Sequence, residues 1–260
     1  MENILRCSNL TKTFSSKNGI VRAVDGVSLS INRGECYGLV GESGSGKSTL
    51  GNLICALESP DSGEIFFEGE RLPAGTEKFS SPDKKFRRKM QIIFQDPYAS
   101  LNPRHKIGSI IEEGLKIHKI GKNSLERKRL VNEMRTLVAL PPACLEKYPS
   151  ELSGGQRQRV AIAGAMILQP EFIVCDECVS SLDVLIQSQI LRLLRKMQSS
   201  FNLTYFFISH NLRVVSLLAD RIGVMYKGKL VEEKTTEELL KRPEHPYTKK
   251  LLEAAGLSVF

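Results

Sequence analysis

No stretch of the 260-residue sequence approaches the 18 or so uninterrupted apolar residues that cross a bilayer, so a membrane-spanning helix is not expected. Residues Met1–Leu10 have polar side chains scattered through them and lack the apolar centre of a secretion signal, which points to a chain that stays in the cytosol. Internal repeats, low-complexity tracts and heptads are absent, which sets aside solenoids, disordered arrays and coiled coils. Cysteine is sparse. The six residues, at 7, 36, 55, 144, 175 and 178, fall mostly inside apolar runs and read as small buried hydrophobes. Cys175 and Cys178 form a C-x-x-C, but no second pair lies nearby to complete a zinc site. The densest basic run, Lys84–Lys89, contains a single aromatic ring and reads as a solvated face. A net charge of +8 would also suit a nucleic acid or an anionic membrane, so charge alone does not choose among them.

What remains is an ordinary globular composition, 41% hydrophobic and 25% charged, long enough for one large α/β domain or two small ones. Residues Ile4–Leu10 and Val27–Ile31 read as strands about a polar turn near Ser15–Gly19, and Glu64–Glu68 as a strand after the turn P-D-S-G. Gly69–Asp83 reads as loop, and Met90–Phe94 as a short buried strand ending at Gln95. From Pro97 to Pro149 the strand signal disappears, and Ile107–Ile117 and Leu125–Leu140 have helical spacing, which makes this section a helical insert. Strands return at Glu171–Cys175, Leu203–Ile208 and Arg221–Tyr226, with helices at Ile186–Met197 and Leu212–Ala219 between them. Such alternation implies a mainly parallel sheet covered on both faces. Thr236–Leu240 and Tyr247–Ala255 read as two short terminal helices.

The chain is organised around Gly41–Thr49, G-E-S-G-S-G-K-S-T, between the apolar run Cys36–Val40 and the helical spacing of Leu50–Leu57. Strand, glycine-rich loop and helix in this order make an anion-binding concavity of backbone N–H groups at the positive end of a helix. Gly41, Glu42, Ser43, Gly44, Ser45, Gly46, Lys47, Ser48 and Thr49 are thus the expected cradle of a nucleoside triphosphate. Lys47 would reach the β- and γ-phosphates, and the Ser48 hydroxyl would ligate Mg²⁺. The buried strand Phe172–Asp176 ends in Asp176 and Glu177. Asp176 is placed to hold Mg²⁺ through water and Glu177 to polarise an attacking water. A second glycine-opened helix begins at L-S-G-G-Q (Leu152–Gln156), where Ser153 suits the N-cap and Gly154 and Gly155 leave bare N–H groups. One chain has one γ-phosphate site to serve. Two chains set head to tail would sandwich two ATP molecules, each between one chain's phosphate loop and the other's signature.

With these motifs the chain resembles the ATP-binding subunits of ATP-binding cassette (ABC) transporters over nearly its whole length. The resemblance implies a phosphate-loop NTPase (RecA-like) fold: a mainly parallel sheet core with an antiparallel β subdomain and a helical subdomain at about 97–165. Residues 1–235 would form the cassette and 236–260 an extension. It implies that Phe14, in L-T-K-T-F, stacks on adenine, where the alternative from the residues alone is an edge-strand core position. It implies that Gln95 contacts Mg²⁺ and water in a loop that senses the membrane partner. Ser181-Leu-Asp183 would communicate across the dimer, and His210, in I-S-H-N-L, would contact the γ-phosphate. The site so implied uses Glu177, His210 and Gln95 in catalysis, Ser48, Gln95 and Asp176 around Mg²⁺, and Ser153, Gly154, Gly155 and Gln156 on the ATP of a neighbour. His105, His118 and His245 have no such context and read as surface residues. Two departures stand out. Cys178 and Ser181 replace the small or proline residues common there, and Gly164 stands where Arg is common, at a cost of about 1 kcal/mol in helix propensity relative to Ala.

F-Q-D-P-Y-A-S-L-N-P-R (Phe94–Arg104) and R-P-E-H-P-Y-T-K-K-L-L (Arg242–Leu252) resemble the importer branch for dipeptides, oligopeptides and nickel or related chelates. That branch implies a second ABC ATPase subunit, two transmembrane permease subunits and an extracytoplasmic solute-binding protein, with this subunit peripheral on the cytoplasmic face and no nucleic-acid partner. Within it the chain resembles the partner without an iron–sulfur segment, since no cysteine follows Cys178. L-E-S-P-D-S-G and the short tail lean slightly towards a metal or small-peptide system. Three rivals are a soluble ABC ATPase on DNA or ribosomes, a non-hydrolytic nucleotide-binding module, and a small-molecule kinase. The first would show heptads or a second cassette, the second would lack Asp176, Glu177, Gln95 or His210, and the third has no use for L-S-G-G-Q.

Overall fold

A computed structural model describes residues 2–16, 19–72 and 83–257. The chain opens with two long strands, β1 (Asn3–Ser16) and β2 (Gly19–Asn32), then β3 (Cys36–Val40), α1 (Lys47–Ile54), β4 (Ser62–Phe67) and β5 (Glu70–Arg71). It continues with α2 (Asp83–Lys89), β6 (Met90–Ile93), α3 (Pro97–Ser100), α4 (Ile107–Ile117) and α5 (Ser124–Leu137). After two 3₁₀ turns come α6 (Gly154–Met166), β7 (Phe172–Asp176) and α7 (Val184–Phe201). Last are β8 (Thr204–Ser209), α8 (Leu212–Ser216), β9 (Arg221–Tyr226), β10 (Lys229–Thr235), α9 (Thr236–Lys241) and α10 (Pro246–Ala254). Packing divides the chain into two compact units, Met1–Ser80 with Gln198–Phe260, and Ser81–Met197. Among the described residues no helix is long and apolar enough to cross a membrane.

In the first unit β1 and β2 form an antiparallel hairpin, and β4 and β5 extend it on the far side of β1. Val27, Leu29 and Ile31 are buried and Ser28 exposed between them, the period of two that a half-buried strand requires. Both strands run beyond the expected limits, pairing as far as Ser16↔Gly19, and β1 continues past a register shift at Asn9, which takes φ 49°. Of the expected loop Gly69–Asp83, Glu70–Arg71 is a strand paired with Phe66–Phe67 and Asp83 begins a helix, while residues 73–82 lie outside the described residues. The turn expected near Ser15–Gly19 holds residues 17 and 18, which lie outside them too.

The unit's second sheet is parallel at its centre. β3 pairs with β8 on one side and β9 on the other, and all five residues of β3 and all six of β8 are buried. Continuous burial matches a parallel strand covered on both faces, here with α1 packed on β8 and α8 on β3 and β8. β10 was not expected. Lys229–Thr235 has few apolar residues, and the side chain it buries is Glu232. The signal for it was the turn before it: Lys227 and Gly228 both take positive φ (48° and 82°), as a two-residue hairpin turn demands.

In the second unit β6 and β7 are parallel neighbours. Ile107, Ile111 and Leu115 of α4 are buried at a spacing of four and face α6. Helix α5 starts on the Asn123 side chain, which accepts from the Glu126 N–H at 2.9 Å, but it buries only Val131, and Leu125, read as the start of its apolar face, is 78% exposed. The basic run Lys84–Lys89 is part of α2. All six cysteines are free and five are buried, and burial pushes the Cys7 thiol up to about 12. Gly164, in the last turns of α6, has no atom within 4 Å of where a Cβ would sit. Gly164→Ala is therefore expected to stabilise the protein by about 0.5–1 kcal/mol, read as a higher urea midpoint at unchanged slope.

Candidate nucleotide-binding site

The phosphate loop is held by packing as well as by its own bonds. Gly46 is the N-cap of α1 at φ 102°, and a Cβ there would lie 1.9 Å from the Ala23 carbonyl oxygen of β2. At Gly41 a Cβ would lie 2.2 Å from the Met225 carbonyl oxygen of β9. Glycine at both positions is thus required by the backbone of neighbouring strands. Inside the loop the Ser45 N–H donates to the Glu42 carbonyl at 3.1 Å, and Gly228 N–H donates to the Ser45 carbonyl at 3.0 Å. Lys47 is buried, its ammonium donating to the carbonyls of Gly41 and Glu42, both at 2.8 Å. Glu42, Ser43, Gly44 and Ser48 are exposed, Ser45 is buried, and Thr49 is half-buried on the first turn of α1.

His210 emerges beside this loop. β3 and β8 run parallel in register Val40↔Ser209, so Gly41 and His210 leave the carboxyl ends of adjacent strands, where open α/β sheets bind ligands. His210 is exposed, and Asn211 after it caps α8 by accepting from Arg213 N–H at 3.1 Å. Phe14 is 40% exposed on the β1–β2 hairpin, with the Lys12 ammonium 5.4 Å from its ring centre, so it is not a core residue. His245 departs from the surface reading: it is half-buried, and its Nδ1 accepts from the Tyr247 N–H at 3.2 Å at the start of α10. Motif reading also missed Tyr247, whose phenol oxygen accepts from the Glu42 N–H at 2.8 Å across 205 positions of sequence. No local signal could have found it.

The second unit gathers Gln95, Asp176 and Glu177 in the same manner. β6 and β7 are parallel with Ile93 opposite Cys175, so Gln95 follows one strand and Asp176–Glu177 end the other. Phe94, read as part of the strand, lies past its end and is 41% exposed. Asp176 is buried and Glu177 half-buried. Glu177 takes φ 46°, a left-handed conformation uncommon for a side-chain-bearing residue, and its carbonyl accepts from the Ser180 hydroxyl at 2.9 Å. Asp183 accepts from the Ile186 N–H at 3.0 Å and so caps α7 as well. Among the described residues no cluster of three His, Cys, Asp or Glu could hold a metal, and Cys175 and Cys178 are buried thiols. Mg²⁺ does not require such a cluster, since it binds through one or two carboxylates with substrate phosphates. An amide oxygen at Gln95 and a carboxylate at Asp176 are hard oxygen donors of the kind it takes.

The signature helix α6 opens with a capping box. Ser153 Oγ accepts from the Gln156 N–H at 3.3 Å and Gln156 Oε1 accepts from the Ser153 N–H at 3.0 Å. Both side chains are thus engaged with the helix itself, and the N–H groups of Gly154 and Gly155 are the ones left without intrahelical acceptors. Gly155 has a second reason to be glycine: a Cβ would meet Ile186 Cγ2 of α7 at 2.6 Å.

The pattern that defines the ABC transporter family matches residues 24–180. The oligopeptide transport ATP-binding protein OppF of Bacillus subtilis (strain 168) is 49% identical over 256 residues, covering 98% of this chain and 83% of that protein. The oligopeptide transport ATP-binding protein AppF of the same organism is 45% identical over 264 residues, covering 99% and 79%. Among solved structures, a dimeric ATP-binding cassette in a post-hydrolysis state bound to ADP and Pi superposes with a TM-score of 0.80 at 30% identity, covering 89% of this chain and 98% of that one. A phosphate loop, a carboxylate pair ending a buried strand and a glycine-opened signature helix, matched over this span, settle the assignment: the chain belongs to the ABC transporter family and is an ATPase of it.

Proposed function

We propose that the chain is the ATP-hydrolysing subunit of an importer of oligopeptides, paired with a second ATPase subunit on the cytoplasmic face of the membrane. Two transmembrane permease subunits and an extracytoplasmic solute-binding protein complete the assembly. Residues 1–235 form the cassette, with its helical part at about 97–165, and 236–260 the extension. The observation that carries the shared-site reading is the pair of glycine-opened helix starts, at Gly46 and at Ser153, in one chain. The peptide reading is supported by relatives named for oligopeptide or peptide import, and the slight lean towards a metal finds no support among those names.

In this reading Phe14 stacks on adenine, and the N–H groups of Gly44–Thr49 with Lys47 hold the β- and γ-phosphates. Ser48, Asp176 and Gln95 would hold Mg²⁺, which when bound would supply charge neutralisation on those phosphates. Glu177 orients water for in-line attack, while Lys47, His210 and the Gly154 and Gly155 N–H groups of the neighbouring chain stabilise the developing charge. The Gln95 loop passes the resulting motion to a permease. Deleting the chain from its cell is expected to abolish uptake of a labelled oligopeptide and to leave nickel uptake intact. Loss of nickel uptake alone would overturn the substrate reading, and co-purification with ribosomes or DNA in place of membranes would overturn the transport reading.

A further inference from the structure

The carboxyl-terminal helix reaches the phosphate loop. Tyr247, in the first turn of α10, accepts from the Glu42 N–H at 2.8 Å. That N–H belongs to the same planar peptide group as the Gly41 carbonyl, which accepts from Lys47 Nζ at 2.8 Å. Phenol and ammonium therefore grip opposite ends of one peptide plane at the entry to the loop. Tyr247 is itself fixed by three anchors. Its ring centre lies 4.2 Å from that of Tyr226 in β9, its own N–H is taken by His245 Nδ1, and the Glu232 carboxylate of β10 accepts from the N–H groups of Glu244 and His245 at 2.8 and 2.9 Å. Tyr247 is 7% exposed, and burial raises its pKa, so the phenol stays neutral at physiological pH. At its other end α10 borders the histidine: Leu251, Ala254 and Ala255 line a cleft with His210 and Arg213.

We propose that Tyr247 is a positioning residue for ATP, which presets the Gly41–Glu42 peptide, and through it Lys47, for the β- and γ-phosphates. The proposal rests on the reading of Gly41–Thr49 as the ATP cradle and gives the terminal helices a role in it. A loop already held in its binding conformation loses less freedom when ligand arrives. The hydroxyl touches the loop away from the Lys47–Thr49 N–H groups, so it acts on affinity through the backbone and never on the phosphate.

Tyr247→Phe keeps the ring and removes the hydroxyl. In the full chain, titration with a fluorescent ATP analogue and Mg²⁺ is expected to show about three- to tenfold weaker binding. The thermal midpoint without nucleotide should stay within about 4 °C of the wild type. In the assembled transporter KM for ATP should rise by the same factor at unchanged kcat. Wild-type affinity in Tyr247→Phe would overturn the proposal. So would an equal loss of affinity in Thr235→Ala, which removes the hydroxyl that caps α9 (3.3 Å from the Glu238 N–H) without touching Glu42. Absence of binding by the unaltered chain would overturn the ATP reading itself, a result distinguishable from either of these.

Discussion

Glu177→Gln is expected to leave ATP bound and to lower turnover on the order of 10²- to 10⁴-fold. Gln has the shape of Glu and its amide oxygen still accepts a hydrogen bond, but it cannot take a proton from attacking water. Two backbone features carry over unchanged. Glu177 stands at φ 46°, and Gln meets the same backbone cost there, so strain does not change between the two. The turn that follows hangs on the Glu177 carbonyl, which accepts from both the N–H and the hydroxyl of Ser180, and the side chain has no part in those bonds. Nucleotide affinity should hold, while phosphate release from the reconstituted transporter collapses. Near-normal release would remove Glu177 from the role and shift attention to Gln95 and His210.

How much of this could be read from the sequence depends on the distance over which each feature is encoded. The N-cap at Ser153 is a local device and is legible in L-S-G-G-Q, whereas the reciprocal bond by which Gln156 closes a capping box emerges only in the structure. The phosphate loop was equally plain, because strand, glycines, lysine and helix are contiguous. Long periodic or continuously apolar elements, such as α4, β3 and β8, were found for the same reason. β10 was missed because its buried side chain is Glu232, so its apolar pattern is broken at the centre. Gly155 was read as a phosphate contact alone, and the packing of Ile186 against it was invisible from 31 positions away. Tyr247 is the extreme case. R-P-E-H-P-Y-T reads as a family trait, yet its link to Glu42 exists only once β9 and β10 bring α10 beside the loop.

The same dependence on distant backbone sets the second large effect, at Gly46. Gly46→Ala is expected to lower ATP affinity on the order of 100-fold or more, since displacing a binding loop by about 1 Å has consequences of that size. Two penalties act at once. Ala at φ 102° is strained by about 1–3 kcal/mol, and its Cβ would lie 1.9 Å from the Ala23 carbonyl oxygen and 2.8 Å from Met225 Cε. The methionine can swing aside. The Ala23 carbonyl cannot, because it belongs to β2, which is paired with β1 along the hairpin. The loop therefore moves, and with it the Gly46 carbonyl that accepts from the Leu50 N–H at 2.9 Å and starts α1. Gly26→Ala separates strain from collision. Gly26 also has positive φ (67°), on the same strand as Ala23, but nothing lies within 4 Å of its would-be Cβ. It should lose about 1 kcal/mol of stability and bind ATP as the wild type does. Equal affinities for the two variants in a nucleotide titration would mean that the wedge between β2 and β9 does not position the loop. A collapse confined to Gly46→Ala would show that the strand backbones fix where the phosphates sit.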